Sequence, residues 1–250
     1  MEIDTRKRKI EASSLPRLKK IFRNMADDAK NLYIKNGSIN SSELAKNYYP
    51  EFLKEVRDTM RRAFKEFNSD LRDRFKLKID DSSLRAAATF FIANESEKQA
   101  QFITETNASQ IAEALLQEIV KFSNRKALPE WIIIAQNLKV NLLDKSEARS
   151  DLIAAQVVGL TESWTRQQEA ELVNGGELAN GKKIALKKTW IARLDTKTRP
   201  AHVAADFQQV GLSESFYVDG ESLKYPRDPN GSASNTINCR CIVSYENFGS

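Results

Sequence analysis

The residues best suited to chemistry lie together between residues 190 and 245. This tract contains the only histidine of the chain, His202, and both cysteines, Cys239 and Cys241, which are separated by a single residue. One imidazole and two thiolates form a soft ligand set that suits zinc. The zinc hypothesis requires the histidine and the two cysteines to meet in the folded chain.

Neighbouring residues offer both a fourth metal ligand and a metal-free alternative. Asp195 and Asp206 flank the histidine and carry carboxylates that could complete the ligand set. The cysteine spacing does not match a zinc knuckle, which usually leaves about two to four residues between its cysteines. Buried cysteine also commonly packs as a small apolar side chain. The favoured interpretation is therefore a hydrogen-bonded structural motif in which Asp195, Arg199 and His202 hold a loop.

Nucleophilic catalysis is a further interpretation of the same residues. His202 and a thiolate are sufficient in principle, with Arg199 stabilising an anion. Such a pair also needs a group that orients the base and a pocket that excludes water, and the sequence indicates neither. Arg199 and Arg240 are interpreted first as partners of carboxylates such as Asp195, and second as phosphate-binding residues.

Four short segments of this tract occur in a characteristic order: D-T-K-T-R-P-A-H at 195–202, V-D-G at 218–220, P-R-D-P at 226–229 and N-C-R-C at 238–241. Together they resemble the C-terminal signature of the phage Mu F-like minor head proteins, also called phage head morphogenesis proteins. The resemblance implies a motif network formed by Asp195, Thr198, Arg199, His202, Asp219, Gly220, Pro226, Asp228, Asn238, Cys239, Arg240 and Cys241.

For function, the resemblance implies a virion protein inside the phage head near the portal. Such a protein aids head morphogenesis, DNA packaging or DNA ejection by binding and not by catalysis. The expected partners are the portal protein, a scaffold or major capsid protein, and packaged DNA, with no membrane. No cofactor is expected apart from the zinc of the metal hypothesis. The expected locations are the head interior and, during assembly, the host cytoplasm.

One position departs from the resembled family. Its members usually carry a Thr-Glu pair after an Arg-x-x-x-Ile-Ala segment, whereas the segment from Arg149 to Ala154 is followed here by Ala155 and Gln156. The missing glutamate weakens an enzymatic interpretation. The alternatives are a metal-dependent or thiol-based hydrolase acting during infection, and a nucleic-acid-binding module with no phage connection.

The net charge of +5 arises from a dense mixture of both signs and is compatible with contact to DNA or to an acidic protein. No motif for reading bases is present, so any DNA contact is expected to involve the phosphate backbone. Paired lysines can instead protect the edge of a sheet from unwanted pairing. The candidate DNA contacts are Arg6, Lys7, Arg8, Lys9, Lys182, Lys183, Lys187 and Lys188.

The elements that position these residues are predicted to form an α+β fold, with a helical region over 1–176 and a small α+β domain over 177–250. Apolar residues recur at helical spacing over 15–35, 84–93, 95–122 and 145–173, and each of these ranges is predicted to be helical. A further helical stretch begins at Ser41 and is interrupted at Tyr49-Pro50. Pro129 fits the first turn of one further helix. The helical region ends at Asn174-Gly175-Gly176.

The C-terminal domain is predicted to contain two longer strands, over 184–194 and 237–245, and a short helix over 200–206 capped by Thr196 or Thr198. Asp219-Gly220 predicts a hairpin, and residues 226–235 predict an ordered loop. On the closing strand, Cys239 and Cys241 would share one face and Arg240 would lie on the other. No apolar run is long enough to cross a membrane, and a cytoplasmic protein is expected.

Overall fold

The computed structural model describes residues 5–123 and 131–249, which form the predicted α+β fold. Pro129 lies outside the described residues. The helices are α1 (Thr5–Asn36), α2 (Ser41–Asn47), α3 (Tyr49–Phe67), α4 (Asp70–Phe75), α5 (Ser82–Ser123), α6 (Trp131–Val173), α7 (Pro200–Ala204) and α8 (Ala233–Thr236). The strands are β1 (Leu186–Ile191), β2 (Gln209–Gly211), β3 (Phe216–Val218), β4 (Glu221–Leu223) and β5 (Ile242–Asn247).

The helix boundaries follow local capping chemistry. The side chain of Asn40 accepts a hydrogen bond from the Glu43 backbone N–H and so caps the start of α2. The predicted interruption before Pro50 separates α2 from α3. The stretches 84–93 and 95–122 form the single helix α5, and the predicted helix over 145–173 is the second part of the longer helix α6. None of the helices within the described ranges is long and apolar enough to span a membrane.

The described residues divide into two compact units, and each unit combines separate parts of the chain. Unit 1 consists of residues 5–7, 60–91 and 155–249, and unit 2 of residues 8–59 and the described part of 92–154. Unit 1 therefore includes residues from both sides of position 176. The division into domains at that position stays a prediction.

Unit 2 is built entirely from helices that bury their apolar stripes. Phe22 of α1 and Phe52 of α3 pack with ring centroids 5.3 Å apart. The guanidinium of Arg149 lies 4.7 Å from the Phe22 ring, and its burial lowers the pKa of Arg149 to about 10. The hydroxyls of Ser14 and Thr59 are 2.8 Å apart, so these buried polar groups satisfy each other.

Unit 1 contains the three-stranded antiparallel sheet, in which β1 lies between β2 and β5. Side chains alternate between the two faces of a strand. On β1 this alternation turns Leu186, Lys188 and Trp190 toward the buried core, whereas Lys187 is exposed. Lys187 and Lys188 consequently lie on the central strand and do not protect a sheet edge.

Lys188 was predicted to contact DNA, and this prediction is wrong because its side chain is fully buried. The ammonium donates to the Lys224 carbonyl at 2.8 Å and to Gln167 Oε1 at 3.4 Å, and it lies 5.2 Å from the centre of the Phe216 ring. The Tyr245 hydroxyl donates to the same Gln167 oxygen at 3.0 Å. Burial lowers the pKa of Lys188 to about 8.

A second buried charged residue, Glu169 of α6, holds the start of helix α4. Glu169 is fully buried, and its two carboxylate oxygens accept hydrogen bonds from the backbone N–H groups of Leu71 and Arg72 at 3.0 and 3.1 Å. These N–H groups belong to the first turn of α4, where they have no partner within the helix. The carboxylate of Glu169 thus acts as the cap of α4, which the sequence did not predict.

The buried Lys188 amine should make the free energy of unfolding depend on pH. The folded chain releases the Lys188 proton near pH 8 and the unfolded chain near pH 10.5. Between these values the unfolded chain binds more protons, so the free energy of unfolding of the native sequence should rise with pH relative to Lys188→Met. The slope should be at most about 1.4 kcal/mol per pH unit. Urea unfolding from pH 7 to pH 10 measures this difference.

Lys187→Met is the matched control, because Lys187 is adjacent but exposed. Its difference from the native sequence should not change over the same pH range. A pH-independent difference for Lys188→Met would contradict the assignment of a depressed lysine pKa.

Candidate functional site

His202 lies on the one-turn helix α7, which follows β1 after the segment 192–199. Pro200 occupies the first turn of α7, where its fixed φ favours the helix and its missing N–H costs nothing. The capping residue is Arg199 with extended backbone, and not the predicted Thr196 or Thr198. The imidazole of His202 is buried and packs perpendicular to the Trp190 ring, with centroids 5.7 Å apart.

The two cysteines lie immediately before β5 and not on it, because the strand begins at Ile242 and not at the predicted residue 237. The predicted alternation nevertheless holds: Cys239 and Cys241 are buried, and Arg240 turns outward. Their sulfurs lie 3.6 and 3.4 Å from the same atom, Nδ1 of His202. The structure therefore brings together the three residues predicted to bind metal.

The two thiols differ strongly in acidity. The Cys241 thiol donates a hydrogen bond to the Cys239 sulfur, and this bond, together with His202 and the positive charge of Arg227, lowers the pKa of Cys239. The same interaction, together with burial, raises the pKa of Cys241. The pair thus favours one thiolate held by one thiol and the imidazole.

Asp195 organises the outer side of the site. Its carboxylate forms a two-pronged ion pair with the guanidinium of Arg240 and also pairs with Arg193 at 3.3 Å. The backbone N–H of Lys197 and the Thr198 hydroxyl donate to it at 2.9 and 3.2 Å. The bond from Arg240 is the main reason why the pKa of Asp195 falls to about 2. Asp195 consequently links the turn before α7 to the cysteine segment.

Two further contacts connect the motif to the rest of unit 1. Arg199 donates to the carbonyl of Ile237, which directly precedes the N-C-R-C segment. The backbone N–H of Asn238 donates to Gln156 Oε1 at 3.1 Å. Asn238 has a φ of +56°, a left-handed conformation that asparagine tolerates better than most residues. Gln156 therefore contacts the motif directly.

Arg227 is a buried member of the site that the sequence did not reveal as such. It has a φ of +66°, and its guanidinium lies against the α6 backbone at Gly159 and 3.5 Å from the Cys241 carbonyl. A Cβ at position 159 would lie 2.4 Å from Arg227 Cζ. An isolated glycine inside a long helical pattern usually has a packing reason, and Gly159 was the available signal.

The remaining motif residues shape loops and do not contact the His-Cys-Cys group. Asp219 and Gly220 have φ values of +50° and +81° and form the predicted turn between β3 and β4. Pro226 is buried in the following loop. Asp228 is also buried and accepts from the backbone N–H groups of Lys224 and Asn230 at 2.8 and 3.0 Å. These residues hold the segment that carries Arg227.

Neither aspartate considered as a fourth metal ligand joins the group. Within the described residues, the cluster able to hold a metal consists of His202, Cys239 and Cys241, with ligand atoms within 4.8 Å of one another. Asp195 is occupied by its arginines, and Asp206 accepts from the Ala192 backbone N–H at 2.7 Å. A cavity of about 10 Å³ adjoins the three ligand residues.

The candidate DNA contacts fall into three groups. Arg6 pairs with Asp70, and Lys7 pairs with Glu162 at 3.0 Å, so both side chains already have acidic partners. Lys188 is buried. The remaining candidates are exposed: Arg8, Lys9, Lys182, Lys183 and Lys187.

The structure thus defines a mostly helical α+β protein with a buried His-Cys-Cys centre. Over 91 residues the chain is 39 % identical to the NAD(+)–arginine ADP-ribosyltransferase EFV of Enterococcus faecalis. The aligned region is 36 % of this chain and 17 % of the transferase. Over 244 residues the chain is 23 % identical to the uncharacterized protein YqbB of Bacillus subtilis. This alignment covers 79 % of this chain and 78 % of YqbB. No protein-family model matches the chain. No solved structure matches it.

The close approach of Arg227 to α6 predicts an unusual response to a glycine substitution. Replacing glycine by alanine inside a helix normally stabilises it by up to about 1 kcal/mol. Gly159→Ala should instead destabilise the protein by about 1–3 kcal/mol, because the new methyl group overlaps the guanidinium. In the background Arg227→Ala the same change should be neutral or stabilising. A double-mutant cycle of urea unfolding measures the coupling.

Equal effects of Gly159→Ala in the two backgrounds would show that the guanidinium does not limit the space at position 159. Arg61→Ala, at an exposed arginine of the same unit, controls for the general loss of positive charge.

Proposed function

We propose that this chain is a phage minor head protein of the Mu F-like type, located inside the virion head near the portal. It acts by binding and not by catalysis. The observation that carries the proposal is the convergence of the motif: segments about forty residues apart in sequence meet around His202, Cys239 and Cys241.

The convergence supports the family resemblance because several long-range contacts join the first of the characteristic segments to the last one, or to the residue directly before it. Asp195 pairs with Arg240, Arg199 reaches the residue before N-C-R-C, and His202 meets both cysteines. Segments that matched the patterns by chance would have no reason to lie close together in the folded chain. Contacts between the segments are instead expected when their residues were selected together.

Partner binding is supported by an apolar surface in unit 2. Exposed apolar residues occur near the end of α5 and in the first part of α6, and Leu115, Phe122 and Ile134 of the same two segments belong to one apolar cluster. Large exposed apolar surfaces commonly mark protein interaction sites. The apolar helix surface consists of Leu116, Ile119, Val120, Trp131, Ile132, Ile133 and Val140.

The portal protein is the proposed partner of the apolar helix surface, with a scaffold or major capsid protein as a further partner during assembly. Packaged DNA is proposed to contact the exposed lysines at 182, 183 and 187 and the N-terminal pair Arg8 and Lys9. These contacts would involve phosphates and would weaken with salt. Arginine ADP-ribosylation is not proposed, because the similarity covers 17 % of the transferase.

The proposal predicts that the protein is a component of phage particles. Mass spectrometry of purified DNA-filled heads should detect it at low copy number relative to the major capsid protein. External protease should leave it intact in sealed heads and degrade it after the heads are opened. Its absence from particles that contain the portal and capsid proteins of the same genome would refute the proposal.

The apolar helix surface makes a separate prediction about portal binding. The double variant Leu116→Lys/Val120→Lys places two charges on this surface and should weaken binding to the portal protein of the same genome by at least about tenfold. Both side chains are exposed, so the thermal stability should change little. Co-purification and calorimetric titration measure the binding.

The matched control is Gln101→Lys/Gln117→Lys, which adds the same charge at exposed glutamines of α5. The control should bind the portal as the native sequence does. Equal binding by both double variants would exclude this surface as the portal contact, while the particle experiment would still decide whether the protein is a head component.

A further inference from the structure

We infer that His202, Cys239 and Cys241 bind one zinc ion through Nδ1 and the two sulfurs. The three ligand atoms lie within 4.8 Å of one another, and all three side chains are buried. This inference does not depend on the proposed role in the phage head. It assigns to the motif a ligand of defined chemistry.

The distances fit a tetrahedral zinc site. With Zn–S bonds of about 2.3 Å and Zn–N bonds of about 2.0–2.1 Å, the nitrogen-to-sulfur edge of a tetrahedron is about 3.6 Å. The observed Nδ1-to-sulfur distances are 3.6 Å for Cys239 and 3.4 Å for Cys241. Both nitrogen-to-sulfur distances therefore match the corresponding edges of a tetrahedral zinc site.

Without a metal, the imidazole can hold one of the two sulfurs by a hydrogen bond, as described above for the Cys239 thiolate. An imidazole nitrogen either donates one proton or accepts one, so a single Nδ1 satisfies one sulfur well and not two. Both sulfurs nevertheless converge on Nδ1 of His202. Nε2 is also buried and has no hydrogen-bond partner among the described residues. Nδ1 is thus the ring nitrogen that faces the ligand set.

Charge balance favours a divalent cation at this position. Two thiolates and a neutral imidazole carry two negative charges, which one zinc ion neutralises. A neutral cluster avoids the large cost of burying an unpaired charge. Thiolate and imidazole ligands together select zinc over magnesium or calcium, which prefer oxygen.

The fourth position is open to a small ligand. The adjoining cavity of about 10 Å³ is on the order of one water-sized sphere. No carboxylate lines the cavity within the described residues; four cationic side chains do, and they favour hydroxide or another small anion as the fourth ligand. The cationic residues that line it are Arg193, Lys197, Arg199 and Arg240.

The test uses the full chain, produced without a polyhistidine tag in zinc-supplemented medium and purified under reducing conditions. Elemental analysis should find about one zinc per chain. After removal of the zinc by a chelator, titration with Co²⁺ should produce the thiolate-to-cobalt charge-transfer absorption and the intense visible bands of a tetrahedral site. The cobalt readout requires no variant and so does not depend on whether substituted chains fold.

The ligands are assigned with His202→Ala and Cys239→Ser/Cys241→Ser. Because each ligand contributes to binding of the ion, each variant should lose at least about 100-fold in zinc affinity. Lys187→Met, at an exposed residue of the same unit outside the site, should retain the metal. Circular dichroism reports whether each variant is folded.

Three outcomes would overturn the inference. The first is native protein that contains no zinc and, under reducing conditions, gives no charge-transfer band with Co²⁺. The second is zinc that remains bound in folded Cys239→Ser/Cys241→Ser, which would place the metal elsewhere. The third is a cobalt spectrum without a thiolate contribution.

Discussion

The structure of unit 1 depends on the polar side chains that α6 carries into its interior. Buried backbone and charged groups must find partners, because an unpaired polar group in the core costs about 1–3 kcal/mol. Gln167 accepts from both Lys188 and Tyr245, and Glu169 accepts from the first turn of α4. Nearer the surface, Gln156 accepts from the backbone N–H of Asn238. The sheet and the motif therefore require α6 as part of their own core.

The motif has an exposed side, which contains the ion pair between Asp195 and Arg240, and a buried side, which contains His202 and the two cysteines. The ion pair between Asp195 and Arg240 is partly exposed, and such pairs contribute little stability by themselves. Its geometry is nevertheless constraining, because a two-pronged guanidinium pair fixes orientation. With Arg240 held outward, the alternation of an extended chain turns Cys239 and Cys241 inward toward His202. The exposed pair thus sets the direction of the buried ligands.

Local patterns in the sequence predicted the fold class, most helices and the orientation of the cysteine segment. Helical stripes, the Asp219-Gly220 turn and the alternation around Arg240 are all properties of neighbouring residues. Lys188 was misjudged because a lysine pair was interpreted as a surface feature, although alternation with Leu186 and Trp190 places it in the core. Helix α4 was missed because its N-terminal cap comes from Glu169, which is 97 and 98 residues away in sequence from the capped N–H groups.

Gln156 gives the motif a hydrogen-bond acceptor without the acid-base chemistry of a carboxylate. The amide oxygen of glutamine accepts the hydrogen bond from the Asn238 N–H, and a glutamate carboxylate of the same length would offer an equivalent acceptor. Glutamine cannot, however, release or take up a proton near neutral pH. The contact made at this position holds the N-C-R-C segment against α6. An acceptor without a titratable group is consistent with a motif that positions ligands rather than one that transfers protons.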